Sequence, residues 1–246
     1  MNVPQDVLAK HTPHDGLVLL VVFGVMAAAA TGYAVCLARQ DRSWVPLLAV
    51  LGSAVAVVND AVFDQLWEIW YPANIEPRLW TMLDRPIPLF LVLGYIPFIG
   101  VLPVVVARLL ERGVGPRVLW YIAAATALGN LAVDMIGDAG SAWVYYADGP
   151  LKYLTNPPIT AAVPIVAGWL LYVARPTRWR LLLAFATPPF TLAAVYAGTG
   201  WPSFAALHID GVPRGVQALC GLVTLVLSAS LIGAVAANQR ERLAHA

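Results

Sequence analysis

Long apolar runs separated by short polar connections organise the whole chain. Seven such runs fall near 16–38, 44–69, 87–109, 118–139, 158–174, 180–198 and 216–237. Each is close to the roughly 20 residues that a helix needs to cross a bilayer. The first run lacks a basic leader and is longer than a signal-peptide core, which predicts a membrane span. Pro97, Pro103, Pro164 and the pair Pro188-Pro189 lie inside runs. Proline there predicts kinked spans with freed carbonyls that need other partners. No repeat, heptad run or linker interrupts the pattern. The expectation is an all-α, seven-transmembrane-helix bundle forming one domain over residues 1–246.

Composition agrees with this pattern and narrows the partners. The chain is 60% hydrophobic and 12% charged, against roughly 25% charged residues in a soluble domain. Its net charge is +1 with no basic tail, so a nucleic-acid partner is not expected. The connections "RQDRSW", "ERGVGPR" and "RPTRWR", with the C-terminal tail, carry ten arginines: Arg39, Arg42, Arg108, Arg112, Arg117, Arg175, Arg178, Arg180, Arg240 and Arg242. The other side carries five cations: Lys10, Arg78, Arg85, Lys152 and Arg214. The positive-inside bias predicts a cell-membrane protein with its N-terminus outside and its C-terminus in the cytoplasm. Cys36 and Cys220 then fall at opposite faces, and no disulfide is expected between them.

The polar positions inside the runs are the informative ones. In "NDAVFDQLWEIWYP", Asp60, Asp64 and Glu68 recur every fourth residue. In "GNLAVDMIGDAG", Asn130, Asp134 and Asp138 do the same. Side chains four apart share a helix face, and runs 2 and 4 point the same way. Two carboxylate ladders are thus expected to climb to one membrane side and line one cavity. His208 and Asp210 in "HIDG" join them from the loop before run 7. Glu68 and Asp138 are equally readable as helix-end charges in the headgroup layer. Asp60, Asp64 and Asp134 lie deeper, where a carboxylate costs about 2.5–3.5 kcal/mol and normally serves a cavity or pathway. Trp67, Trp70, Trp143, Tyr145 and Tyr146 gather on the same side. They fit an interfacial belt, and Trp67 and Trp70, flanking Glu68, also offer ring faces to a cation.

A pocket of this kind suits an apolar substrate with one reactive end, and two chemistries follow. In the first, a dehydrated carboxyl crowded by others stays protonated and acts as general acid on an alkene or epoxide. The substrate then cyclises through carbocations without a metal, and Glu68, paired with Asp64, is the expected acid. In the second, Asp60, Asp64, Glu68, Asn130, Asp134 and Asp138 hold Mg²⁺ and grip a prenyl diphosphate.

Three resemblances accompany these alternatives. The N-x-x-x-D-x-x-x-D of Asn130, Asp134 and Asp138 resembles the diphosphate motif of intramembrane prenyltransferases of the ubiquinone-biosynthesis type, a larger family whose site faces the cytoplasm. Over its full length and span count, the chain resembles the small seven-span terpene cyclases of fungal meroterpenoid pathways and their actinobacterial relatives acting on prenylated indoles. That resemblance implies an acid after Trp at the end of span 2 and an Asp before span 7. "LWEIW" supplies Glu68 and "HIDG" supplies Asp210. It also implies proton-initiated, metal-free cyclisation of a lipophilic terpenoid or prenylated molecule, while Asp60, Asp64, Asp134 and Asp138 have no counterpart in it. A looser likeness joins "DMIGDAGSAWVYY" to membrane spirocyclase/dehydratase proteins of polyketide pathways.

Other classes fare differently. A retinal protein needs a lysine in span 7, and "VQALCGLVTLVLSASLIGAVAA" has none. A proton- or cation-coupled transporter stays open, because intramembrane acids mark ion pathways. Against it stands the gathering of all the intramembrane acids in one half of the membrane.

Overall fold

A computed structural model describes residues 3–12, 16–146 and 149–245. Met1, Asn2 and Ala246, the ends of the expected 1–246 domain, lie outside them. Seven helices in it are long and apolar enough to cross a membrane. They are span 1 (Leu17–Gln40), span 2 (Val45–Leu66), span 3 (Leu89–Glu111), span 4 (Pro116–Ala139), span 5 (Tyr153–Ala174), span 6 (Arg180–His208) and span 7 (Arg214–Ala244). The expected all-α seven-span bundle is what forms. Cys36 and Cys220 are both free.

Span 5 is the most enclosed helix, packing against spans 3, 4, 6 and 7. Span 2 packs mainly on span 6, and span 1 lies outermost against spans 2 and 3. Spans 3 and 4 both rest on span 5 and scarcely touch each other. A cleft is left between them over span 5.

Several boundaries differ from the sequence reading. Span 5 begins at Tyr153 instead of 158, and span 6 runs to His208 instead of 198. Pro157, Pro158 and Pro202 sit within helix, because in a close-packed bundle neighbouring groups occupy the space that missing N–H bonds leave. One case is visible in detail. Pro189 cannot donate to the carbonyl of Phe185, four residues back. That freed oxygen lies against Gly52 of span 2, where a Cβ would stand 2.0 Å from it. Spans 2 and 6 approach this closely only because Gly52 has no side chain.

Span 2 is also shorter and less regular than expected. It passes through a 3₁₀ turn at Val57–Asn59 and restarts as a short α-helix, Asp60–Leu66. Trp67 closes that helix, and Glu68 adopts a left-handed φ of +54°. The chain then leaves as a two-residue strand, β1 (Ile69–Trp70).

Four short strands build a cap over this end of the bundle. Strands β2 (Arg78–Met82) and β3 (Arg85–Pro88) form a hairpin, and β1 pairs antiparallel with β4 (Val144–Tyr145). Ile69 faces Tyr145 and Trp70 faces Val144. Ile75 and Ile87 anchor the cap in the core, fully buried. Thr12 and Asn74 stitch the N-terminal segment to the cap by two reciprocal hydrogen bonds of 3.0 Å.

Candidate active site beneath the cap

The cavity between spans 3 and 4 has a volume of about 460 Å³, within the range of small-molecule sites. Its depth comes from the short Asp60–Leu66 helix, whose first and second turns carry Asp60 and Asp64. Across the cavity, the continuous helix of span 4 presents Thr126, Asn130 and Asp134 on one stripe. Those carboxyls are almost fully buried: Asp60 is 7%, Asp64 2% and Asp134 5% exposed. The two ladders thus bring three acids to one enclosure.

Each acid has a different set of partners. Asp60 accepts hydrogen bonds from the phenols of Tyr95 and Tyr71, the latter at 3.4 Å. Asp134 accepts from Asn156 Nδ2 at 3.0 Å and from the Tyr145 phenol. Asn156 also donates to Asn130 at 3.4 Å and accepts from the Tyr196 phenol at 2.8 Å. Thr160 Oγ1 lies 2.9 Å from the Tyr196 hydroxyl and extends this network. Asp64 differs from both. Its Oδ2 is buried without a partner, the one carboxylate oxygen in that condition among the described residues. A buried polar atom left bare is costly and calls for an explanation in function.

The walls are aromatic. Phe23, Phe63, Trp67, Tyr71, Phe90, Tyr95, Phe98, Trp143, Tyr145 and Tyr196 all line the space. Phe63 stacks on Tyr196 at 4.5 Å, and Phe90 lies 6.2 Å from Trp143. Trp143 reaches the cavity because its ring lies over Gly137, where a Cβ would sit 2.1 Å away. Tyr71 and Tyr145 belong to the cap. Burial, followed by the charge of Asp60 for Tyr71 and of Asp134 for Tyr145, pushes both phenols well above their ordinary value. Both hydroxyls therefore stay neutral and donate to the carboxylates.

Several expected site residues lie elsewhere. Glu68 does not continue the ladder, because the helix has ended and the left-handed turn swings it off the stripe. Its carbonyl accepts from the Tyr146 amide at 2.9 Å, which holds that turn in place. Its carboxylate lies 3.7 Å from His208 Nδ1, outside the cavity lining. Burial pushes the Glu68 carboxyl up, against the lowering effects of His208 and Arg85. Asp138, in the last turn of span 4, accepts from the Tyr153 phenol and from the Tyr145 amide at 3.3 Å. It ties the span to the cap and does not line the cavity. Asp210 does precede span 7, but in an exposed loop. Trp70 and Tyr146 turn away to cover Arg85, whose guanidinium carbon sits 5.6 and 5.8 Å from their ring centres. Of the aromatics expected at the site, Trp67, Trp143 and Tyr145 are wall residues.

The residues proposed for Mg²⁺ are divided accordingly. Asp60, Asp64, Asn130 and Asp134 line the cavity, while Glu68 and Asp138 do not.

Arg85, Tyr95, Asn156, Thr160 and Tyr196 were not singled out from sequence. Asn156 and Tyr196 carried a signal, since polar groups inside apolar runs mark interior faces. Arg85 stands only in a loop-like "DRPIP" and carried none. It is 2% exposed, donates to the Ile69 carbonyl, and donates to the Tyr146 hydroxyl at 2.9 Å. Its charge acts on both Asp64 and Glu68.

No protein-family model, curated protein or solved structure matches this chain significantly.

Proposed function

We propose that this protein is an integral-membrane terpene cyclase that starts carbocation cyclisation of a prenylated, lipid-like substrate by protonation, with Asp64 as the general acid. The observation carrying this reading is the bare, buried Oδ2 of Asp64 in an aromatic-walled cavity. A proton donor needs an oxygen that no neighbouring group already engages, and Asp60 and Asp134 already accept from phenols and an amide. Asp64 gives its proton to one carbon of an alkene, forming a C–H bond and leaving a tertiary cation. A second double bond attacks that cation and closes a ring. Loss of a proton from the cyclised cation to a cavity carboxylate ends the sequence, so the reaction is a net isomerisation. Asp60 and Asp134 stand where they stabilise the cation electrostatically, and the ring faces add their quadrupoles.

The test is turnover by purified protein given prenylated aromatics, farnesyl diphosphate or geranylgeranyl diphosphate, each with and without EDTA. Cyclised product from a prenylated aromatic with EDTA present is expected. Product that requires Mg²⁺ supports diphosphate chemistry instead. No product under either condition, with proton-coupled flux in vesicles, supports the transporter reading.

The ten-to-five distribution of Lys and Arg supports a cytoplasmic C-terminus and a cap facing outward. A C-terminal reporter that is active only in the cytoplasm is the expected result. Activity only on the exterior reverses the orientation.

A further inference from the structure

We infer that the substrate enters sideways from the hydrocarbon layer, through a portal between span 4 and the pair of spans 1 and 3, and is a bilayer-dissolved isoprenoid chain. This deepens the cyclase reading and rests on the same cavity.

Among the described residues, the capped end is closed by buried and tied-down groups. Tyr71 and Ile75 are buried there, and Arg85 locks β1 to the Tyr146 side of the cap. The Thr12–Asn74 pair ties the N-terminal segment across it. The flank is different, because spans 3 and 4 scarcely touch each other. The residues that line the cavity and are also exposed all stand on this flank: Met26 of span 1, 46% exposed, and Gly129 and Val133 of span 4, with Val133 37% exposed. A Cβ built on Gly129 meets nothing within 4 Å. Opposite, span 3 widens into a π-helical turn at Ile96–Val101 with Pro97 inside it, the kind of irregularity that recurs at functional sites.

Depth identifies the solvent outside this opening. At about 1.5 Å per residue, Gly129 lies about 15 Å from the Ala139 end of its span, and Met26 about 14 Å from Leu17 at the same end of the bundle. Both stand near the middle of a hydrocarbon core about 30 Å thick. No polar headgroup reaches that depth, so the portal meets only apolar chain. Asp134 lies five residues further toward the cap on the same span, about 7.5 Å higher. A chain entering at mid-bilayer and climbing toward the cap brings its terminal double bond to the carboxyls first.

The test is photolabelling in proteoliposomes with a diazirine-bearing farnesyl ether dissolved in the lipid, with labelled residues mapped by mass spectrometry. Wild-type protein is expected to label at Leu91–Leu102 and around Asn156. Gly129→Trp fills the portal and is expected to lower that labelling by at least about tenfold, as is Met26→Trp from the opposite edge. Gly198→Trp, also built into open space but away from this cavity, is the control and keeps wild-type labelling. All variants are compared only after matching wild-type helicity and gel-filtration profile. Undiminished cavity labelling in both folded Gly129→Trp and Met26→Trp overturns the portal, as does wild-type labelling confined to the cap. Turnover separates this from the parent reading. Portal-dependent labelling without any turnover keeps the portal and ends the cyclase, and turnover with portal-independent labelling does the reverse.

Discussion

Asp64→Asn is expected to lower cyclisation by at least about 10², the scale that a positioned general acid contributes. The substitution removes the transferable proton while keeping the shape of the side chain, so the variant should fold and retain substrate. Asp60→Asn and Asp134→Asn remove a stabilising charge but not the proton donor, and each is expected to cost less than Asp64→Asn. Glu68→Gln sits at the His208 contact outside the cavity and is expected to cost under about tenfold, below the range of a general acid. Turnover should also fall as pH rises and Asp64 loses its proton, and that alkaline limb should be absent in Asp64→Asn. Near-wild-type turnover in folded Asp64→Asn transfers the role to Asp60 or Asp134. Equal turnover in all four variants ends the cyclase reading.

Arg85→Met carries the largest expected effect on stability. The side chain is 2% exposed and donates to the Ile69 carbonyl and the Tyr146 hydroxyl. It is also the cation whose field reaches Asp64 and Glu68. Removing the donor leaves the Ile69 carbonyl and the Tyr146 hydroxyl without their partner, at about 1–3 kcal/mol for each buried group left unsatisfied. Methionine replaces the volume but none of the donors. The thermal midpoint of the detergent-solubilised protein should drop sharply, with early exposure of Trp70 as the β1–β4 pairing opens. Arg85→Lys keeps the charge without the planar fork and should recover only part of the loss. An unchanged midpoint in Arg85→Met would mean that the cap is held by its apolar anchors Ile75 and Ile87 alone.

How much of the site could be read from residues alone differs between the two ladders. The second was legible because span 4 is one uninterrupted helix, and its four-residue spacing survives into the fold for Asn130 and Asp134. The first was legible only as far as Asp64. A 3₁₀ turn before Asp60 and a left-handed residue at Glu68 bracket the Asp60–Leu66 helix, and nothing in "DQLWEIW" announces either. The ladder reading that put Glu68 on the same stripe depended on the helix continuing one more turn.

Sequence by itself determined the seven spans, the shared end of the two ladders and the burial of three carboxyls. Each follows from local quantities: apolar length, helical period and the cost of a charge in hydrocarbon. Only the tertiary structure decided which oxygen remains bare. Tyr95 reaches Asp60 across 35 residues and Asn156 reaches Asp134 across 22. These partners are brought in by spans 3 and 5, whose packing no local pattern encodes. Arg85, the buried cation whose field reaches Asp64, has its two donor bonds on Ile69 and Tyr146, and Asp64 Oδ2 has no partner among the described residues. A buried group's hydrogen bonding depends on every element around it, and so it appears only when the bundle has closed.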